Sequence, residues 1–209
     1  MLSIKEILIG SNNFSKQLEI KKLFTQTSII IYTPDDFSLH HEPPESGSNH
    51  QEIAEQKAIS WSKLTNKPVI SSDGGIIIPS LANEWESIYT KRNAGRNATN
   101  SERADHLVNI LKDNAEQNRI AQWTESIAIA ANGNLIASFN AFGPTGTITN
   151  TVAKQLSDEF WVYPIWYFKE FNKTYNDLTC AEKIQLKDHW QILKDNLKDF
   201  LDDQKTNSD

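Results

Sequence analysis

The first loop of the chain contains small polar residues and a lysine, and it lies between an apolar run and an amphipathic stretch. Ser11, Asn13 and Lys16 lie between a predicted strand over 4–9 and a predicted helix over 17–24. The start of a helix presents outward-pointing N–H groups and the positive end of the helix dipole, so such a loop suits an anion. Lys16 would add a mobile positive charge, and the two side chains would add hydrogen bonds. The loop fits a phosphate-binding turn, but on its own it is better explained as an ordinary capped strand–helix turn.

Two carboxylates further along the chain have the placement of metal ligands. Glu52 opens a predicted helix over 51–64, and Asp73 follows a predicted strand over 69–72 and precedes two glycines. A carboxylate at the C-terminal end of a strand is often a metal ligand or general base, and Mg²⁺ needs few carboxylates when water and substrate phosphates complete its shell. Taken singly, Glu52 is more simply explained as capping its helix, and Asp73 equally well as holding a turn.

Composition narrows the class of protein. The chain has 209 residues, 38% of them hydrophobic and 23% charged, which is typical of one large globular domain or two small lobes. A net charge of −6 argues against nucleic acid as a partner, and no apolar stretch reaches the length of a membrane span. The single cysteine, Cys180, excludes an internal disulfide and favours a reducing, cytoplasmic location. An anionic ligand would therefore need lysines gathered locally or a bridging metal.

Apolar patterns of strand and helix type alternate along the chain, and they predict an α/β fold with a mixed sheet. The turn at Asn132 and Gly133 is a strong hairpin signal, and 202–209 reads as a polar tail. Asp73, Gly74 and Gly75 are predicted to form a turn. The predicted strands are 4–9, 28–32, 69–72, 76–78, 120–131 and 135–142, and the predicted helices are 17–24, 51–64, 102–114, 151–160 and 181–201.

Short motifs spread in order over nearly the whole chain resemble those of one family. They are Ser11-x-Asn13-x-x-Lys16, 45–47 with 51–53 and 57–58, 68–76, 89–95, 139–148, and Lys173-Thr174-Tyr175 with Glu182, Lys183 and His189. In order and spacing they resemble the inosine triphosphate pyrophosphatases, which hydrolyse aberrant purine nucleoside triphosphates.

This resemblance implies a two-lobed α/β fold over 1–201, built on a long twisted mixed sheet flanked by helices. It places the active cleft between the lobes and implies a homodimer. The implied reaction is Mg²⁺-dependent hydrolysis of a nucleoside triphosphate to the monophosphate and pyrophosphate, with positioning and charge stabilisation supplying most of the catalysis.

The resemblance also implies roles for particular residues. Glu52 would be a metal ligand, and Asp73 would bind the metal or orient the attacking water. The residues implied to hold phosphates are Ser11, Asn13, Lys16, Lys57 and Lys183. Those implied to lie at the base are Phe160, Trp161, Tyr163, His189 and Trp190.

Departures from the family pattern fall mostly at the base end. The first of two expected acids is Ser72, an expected glycine and aspartate are Trp161 and Tyr163, and an expected arginine is Trp190. Core packing is the ordinary explanation of such aromatic residues. Because a site built on hydrogen bonds rejects analogues strongly, these changes favour an active enzyme with shifted or broader base preference.

Two other interpretations remain open. One is the ordinary base preference, with other groups such as Asp188 supplying the hydrogen bonds. The other is a binding or regulatory protein that keeps the nucleotide site without catalysis. The loss of an acid at Ser72 favours the latter. The retained residues Lys16, Glu52, Lys57 and Asp73 oppose it.

Overall fold

A computed structural model describes residues 4–82, 84–152 and 160–206. Its strands are β1 Glu6–Ile9, β2 Ile30–Tyr32, β3 Val69–Ile77, β4 Ile120–Ala131, β5 Asn134–Ile148, β6 Trp166–Phe168 and β7 Lys173–Thr174. They form one seven-stranded sheet in the order β2-β1-β3-β4-β5-β6-β7. Strand β1 pairs in parallel with β2 and β3, whereas β5–β6 and β6–β7 are antiparallel, so the predicted mixed α/β sheet is confirmed.

Five α-helices accompany the sheet in the described part of the chain. They are α1 Phe14–Leu23, α2 His50–Thr65, α3 Asn100–Ile110, α4 Cys180–Leu186 and α5 His189–Thr206. Helix α2 shows why such segments are helical. Asn49 caps its first turn, and the apolar residues Ile53, Ala54, Ala58 and Trp61 recur at helical spacing and are buried. None of the helices in the described residues combines the length and apolar character needed to cross a bilayer.

The chain divides into two compact units. Unit 1 takes in the described residues of Met1–Gly74, Glu125–Ala141 and His189–Asp209, and unit 2 those of Gly75–Thr124 and Phe142–Asp188. In unit 1, alternating strand residues such as Ile70 and Ile127 pack with α1 and α5. The intervening residues, such as Val69, pack against Trp61 of α2. The two faces of these strands therefore serve different helices.

The largest correction to the predicted elements concerns Asp73. Strand β3 runs without a break over Val69–Ile77, so Asp73, Gly74 and Gly75 are extended and do not form a turn. Among the described glycines, positive φ occurs at Gly95 and Gly133. The prediction was wrong because the apolar residues on both sides of Gly74 and Gly75 belong to one central strand. Their strand pairing outweighs the preference of glycine for turns.

Other boundaries also moved. The segment 181–201 forms two helices rather than one, because Lys187 adopts a left-handed conformation with φ of 49° and ends α4. Helix α5 continues to Thr206, into the predicted tail. The hairpin is confirmed, with positive φ at Asn132 and Gly133. The predicted helix over 151–160 lies largely outside the described residues.

Candidate active site

The first loop packs closely against the start of β3, where β1 ends. The Gly10 amide donates to Ile70 O at 2.8 Å. A Cβ at Gly10 would come within 2.8 Å of both Trp61 Cδ1 and Val69 Cγ1, closer than real side chains approach. Gly10 is therefore required by packing, and it lets the loop turn directly into α1.

Ser11 and Asn13 cap α1. The Ser11 hydroxyl accepts from the Asn13 amide at 3.2 Å, and Asn13 Oδ1 accepts from the Lys16 amide at 3.3 Å. Gln17 Nε2 donates to Ser11 O at 2.8 Å. The capped turn is thus what the structure shows. The phosphate-binding role of Ser11 and Asn13 stays a prediction, for which each still has a side-chain donor, the hydroxyl and the amide group.

Lys16 reaches from α1 to a buried acid on β4. Its Nζ lies 3.2 Å from Glu125 Oε1, and the Glu125 side chain is 0% exposed. Burying a carboxylate is costly unless it is paired, and Lys16 supplies the opposite charge. The predicted phosphate lysine is therefore held in one place by a carboxylate that the sequence analysis did not single out.

Asp73 is held by two residues of α2. His50 Nδ1 lies 2.6 Å from Asp73 Oδ2, and Lys57 Nζ lies 2.7 Å from Asp73 Oδ1. His50 and Lys57 are seven residues apart, two turns along the same helix face. The predicted acid and the predicted phosphate lysine are thus brought together, and each carboxylate oxygen has its own donor.

These neighbours decide the charge of Asp73. Burial raises the pKa of its carboxyl, but the His50 hydrogen bond and the charges of Lys16 and Lys57 outweigh burial and hold that pKa at about 2. Asp73 is therefore ionised at neutral pH. Because an ionised carboxylate only accepts hydrogen bonds, His50 must carry its proton on Nδ1 and donate it.

Lys57 binds a second acid as well. Its Nζ lies 2.6 Å from Glu45 Oε1, so the ammonium is held between Glu45 and Asp73. The local set of Glu45, Asp73 and Glu125 with Lys16 and Lys57 thus has three carboxylates against two ammonium groups.

Glu52 caps its helix, which was the simpler of the two explanations for it. Its Oε2 accepts from the Ser48 amide and hydroxyl, each at 2.8 Å, and its own amide donates to Asn49 Oδ1 at 2.9 Å. The Ser48 hydrogen bonds lower the pKa of the Glu52 carboxyl. Glu52 therefore holds the first turn of α2 together, and its role as a metal ligand stays a prediction.

The aromatic residues predicted to lie at the base are packed in the core of unit 2. Phe160 and Tyr163 stack at 4.8 Å between ring centroids, and both rings meet Trp123 edge-on. Trp161 is buried in the same cluster. These contacts are those of core packing, and a base-binding role for these rings stays a prediction.

The remaining predicted residues are divided between the two units. In unit 2, Lys183 Nζ lies 4.3 Å from the centre of the Tyr175 ring, and the Tyr175 hydroxyl donates to Asp188 Oδ2 at 2.6 Å. In unit 1, His189 and Trp190 are buried at the start of α5, where Trp190 joins the apolar core. Their nucleotide roles also stay predictions.

Two residues of the site were missed by the sequence analysis. His50 is spaced seven residues from Lys57, a signal that both point the same way from α2. Glu125 is the single charged residue in the predicted strand 120–131, where a carboxylate needs a buried partner.

The chain resembles known proteins over most of its length. The model of the Ham1 family matches residues 7–195. A dITP/XTP pyrophosphatase of Desulfotalea psychrophila is 28% identical over 180 residues, covering 86% of this chain and 78% of that protein. The enzyme of the same name from Listeria innocua is 25% identical over 201 residues, covering 95% and 96%.

Solved structures agree. A Ham1 protein from Coxiella burnetii superposes with a TM-score of 0.75 at 28% identity, covering 93% of this chain and 98% of that one. The Ham1 protein of Staphylococcus aureus gives 0.73 at 27% identity with the same coverage.

Proposed function

Because the family model spans well over half of its length, this chain belongs to the Ham1 family, and we propose that it hydrolyses noncanonical purine nucleoside triphosphates to monophosphate and pyrophosphate. The names of the relatives from Desulfotalea psychrophila and Listeria innocua, both dITP/XTP pyrophosphatases, support this substrate class. The enzyme is then a hydrolase acting on acid anhydrides.

The observation that carries the proposal is the buried, ionised Asp73 held at both oxygens. Donors at 2.6 and 2.7 Å fix the orientation of its carboxylate. With a pKa of about 2 it is a poor proton acceptor, so its chemistry is to orient water or bind a cation while keeping its charge. A fixed carboxylate with that role beside lysines is typical of a phosphoryl-transfer site.

The local charge argues for a divalent cation. Both lysines are already paired with carboxylates, Lys16 with Glu125 and Lys57 with Glu45 and Asp73. A triphosphate is itself strongly anionic, so the lysines alone do not balance it. We therefore include Mg²⁺ dependence in the proposal.

The donors fit Mg²⁺, which needs one or two carboxylates beside water and phosphate oxygens. No group of three or more potential ligands occurs within the described residues, and none is required. Glu52 and Asp73 would hold the ion. When bound, Mg²⁺ neutralises phosphate charge and polarises the phosphoryl group.

Residues of the chain would bind the phosphates and orient the attacking water. Lys16 and Lys57 exchange part of their carboxylate contact for phosphate oxygens and stabilise the charge of the leaving pyrophosphate. Asp73 orients a water whose oxygen bonds to the α-phosphorus as the bond from that phosphorus to the bridging oxygen breaks. The water proton passes to solvent, since Asp73 keeps its charge.

Base preference is the part of the proposal in which this chain departs from the family pattern. By the resemblance of the motifs, Trp161, Tyr163 and Trp190 would stand where the family pattern has a glycine, an acid and an arginine. Apolar and stacking contacts discriminate bases less sharply than hydrogen bonds do, so we expect a shifted or broader preference.

The test is pyrophosphate release from a panel of normal and deaminated triphosphates, with and without Mg²⁺, with Asp73→Asn as the inactive control. Metal-dependent release by the wild type alone supports the proposal. Binding of a triphosphate without any turnover would instead favour the non-catalytic alternative, which Ser72 supports because it carries no charge beside Asp73.

A further inference from the structure

His50 is a buried histidine that contacts the acid to which the proposed function assigns the chemistry. It lies in the first turn of α2 and is 6% exposed, with Nδ1 2.6 Å from Asp73 Oδ2. Its helix neighbours on the buried side, Ile53 and Ala54, are apolar. Among these neighbours the imidazole is the polar group, and it contacts Asp73.

The helix is built so that this imidazole stays in place. Asn49 caps the first turn through its side chain, and Glu52 reaches back to Ser48. Hydrogen bonds from residues before and after His50 thus stabilise the helical turn to which it belongs. Because the cap fixes the backbone of this turn, the imidazole can donate to one particular oxygen, Asp73 Oδ2.

His50 and Lys57 divide the two oxygens of Asp73 between them. The ammonium of Lys57 has three protons and a second partner in Glu45, so it tolerates rotation. The imidazole is planar and has one Nδ1 proton, so it fixes the direction of the bond. Removing it would leave the Asp73 carboxylate free to turn about its Cβ–Cγ bond toward Lys57.

We propose that His50 is a positioning residue, which donates Nδ1–H to Asp73 and sets the plane of the catalytic carboxylate. This inference rests on the proposed function, in which Asp73 orients the attacking water or the cation. His50 itself contacts neither.

Three variants test it. His50→Phe keeps a flat ring without the donor, and His50→Asn places an amide donor near the position of Nδ1. His106→Phe makes the same ring exchange on α3, which belongs to unit 2. We expect His50→Phe to lower kcat by about tenfold or more while KM changes less than about twofold, because orientation matters to turnover. His50→Asn should recover most of kcat, and His106→Phe should match the wild type.

A spectroscopic measurement separates this inference from the proposed function. A short N–H···O⁻ bond should give a downfield imidazole N–H resonance in the wild type, absent in His50→Asn and shifted upfield in Asp73→Asn. If no triphosphate is hydrolysed, the proposed function fails while the resonance still reports the contact. Wild-type kcat in His50→Phe, equal loss in His50→Asn and His50→Phe, or no such resonance would overturn the positioning role.

Discussion

Asp73 keeps its charge in a buried position because His50, Lys57 and Lys16 together outweigh the cost of burial. This balance ties the function proposed for the residue to the stability of the protein. A group whose folded pKa lies below its unfolded pKa stabilises the folded state only while it is ionised.

The first prediction concerns acid stability. The folded pKa of Asp73 is about 2 against an ordinary 3.8, so its contribution is full above about pH 4 and is lost as pH falls toward 2. The difference is worth roughly 2 kcal/mol. Urea unfolding at a series of pH values should show a steeper acid loss in the wild type than in Asp73→Asn. Parallel curves would mean that Asp73 is not preferentially ionised in the folded state.

The second prediction separates charge from shape at the same residue. Asp73→Asn removes the charge and almost no volume, so we expect kcat to fall by at least about a hundredfold while the protein remains folded. Pyrophosphate release and circular dichroism measure the two quantities. Retained turnover in a folded variant would exclude the role assigned to Asp73.

The third prediction concerns the buried pair of Lys16 and Glu125. Glu125→Gln leaves the Lys16 charge without its partner at 3.2 Å, which should cost about 3 kcal/mol in the free energy of unfolding. Asp202→Asn breaks an exposed pair with Lys198 and should cost less than about 1 kcal/mol. Denaturant titration compares them, and equal losses would show that the buried pair contributes no more than a surface one.

At the scale of elements, helical periodicity predicted α1 and α2 because each helix buries one face. Continuous apolar runs predicted the central strands of unit 1, which are buried on both faces. Helix α2 was predicted over 51–64 and observed over His50–Thr65. The predicted strand over 69–72 was shorter than the observed β3, because the sequence does not reveal which glycines lie extended in a central strand. The predicted Asp73 and Lys57 meet, whereas the Glu125 contact depends on sheet order, which periodicity does not encode.

The fourth prediction tests whether the cap of α2 serves the site. Asn49→Ala removes the acceptor of the Glu52 amide and should cost about 1 kcal/mol. It should also lower kcat, because His50 lies in the turn that frays. Thr99→Ala removes the corresponding cap of α3 and should cost similar stability with unchanged kcat. Unfolding curves and pyrophosphate release provide both comparisons. Equal kcat in the two variants would show that the cap has no part in the site.

At the scale of the molecule, the predicted phosphate and base residues belong mostly to different units. Lys16, Lys57 and Asp73 lie in unit 1, and Phe160 and Tyr163 lie in unit 2. The phosphates are common to all nucleoside triphosphates and the bases are not. Changes in the two sets should therefore have different kinetic signatures if both sets serve the substrate.

The fifth prediction uses that difference. Lys57→Met should reduce kcat/KM for every triphosphate by a similar factor, so the ratio between inosine and guanosine triphosphates is preserved. Phe160→Leu keeps an apolar residue in a buried position but loses the ring that stacks on Tyr163, so that ratio should change by about threefold or more. Steady-state kinetics with both triphosphates measures it. A ratio unchanged in Phe160→Leu would assign that ring to the core of unit 2 alone, and a ratio altered in Lys57→Met would mean that Lys57 senses the base.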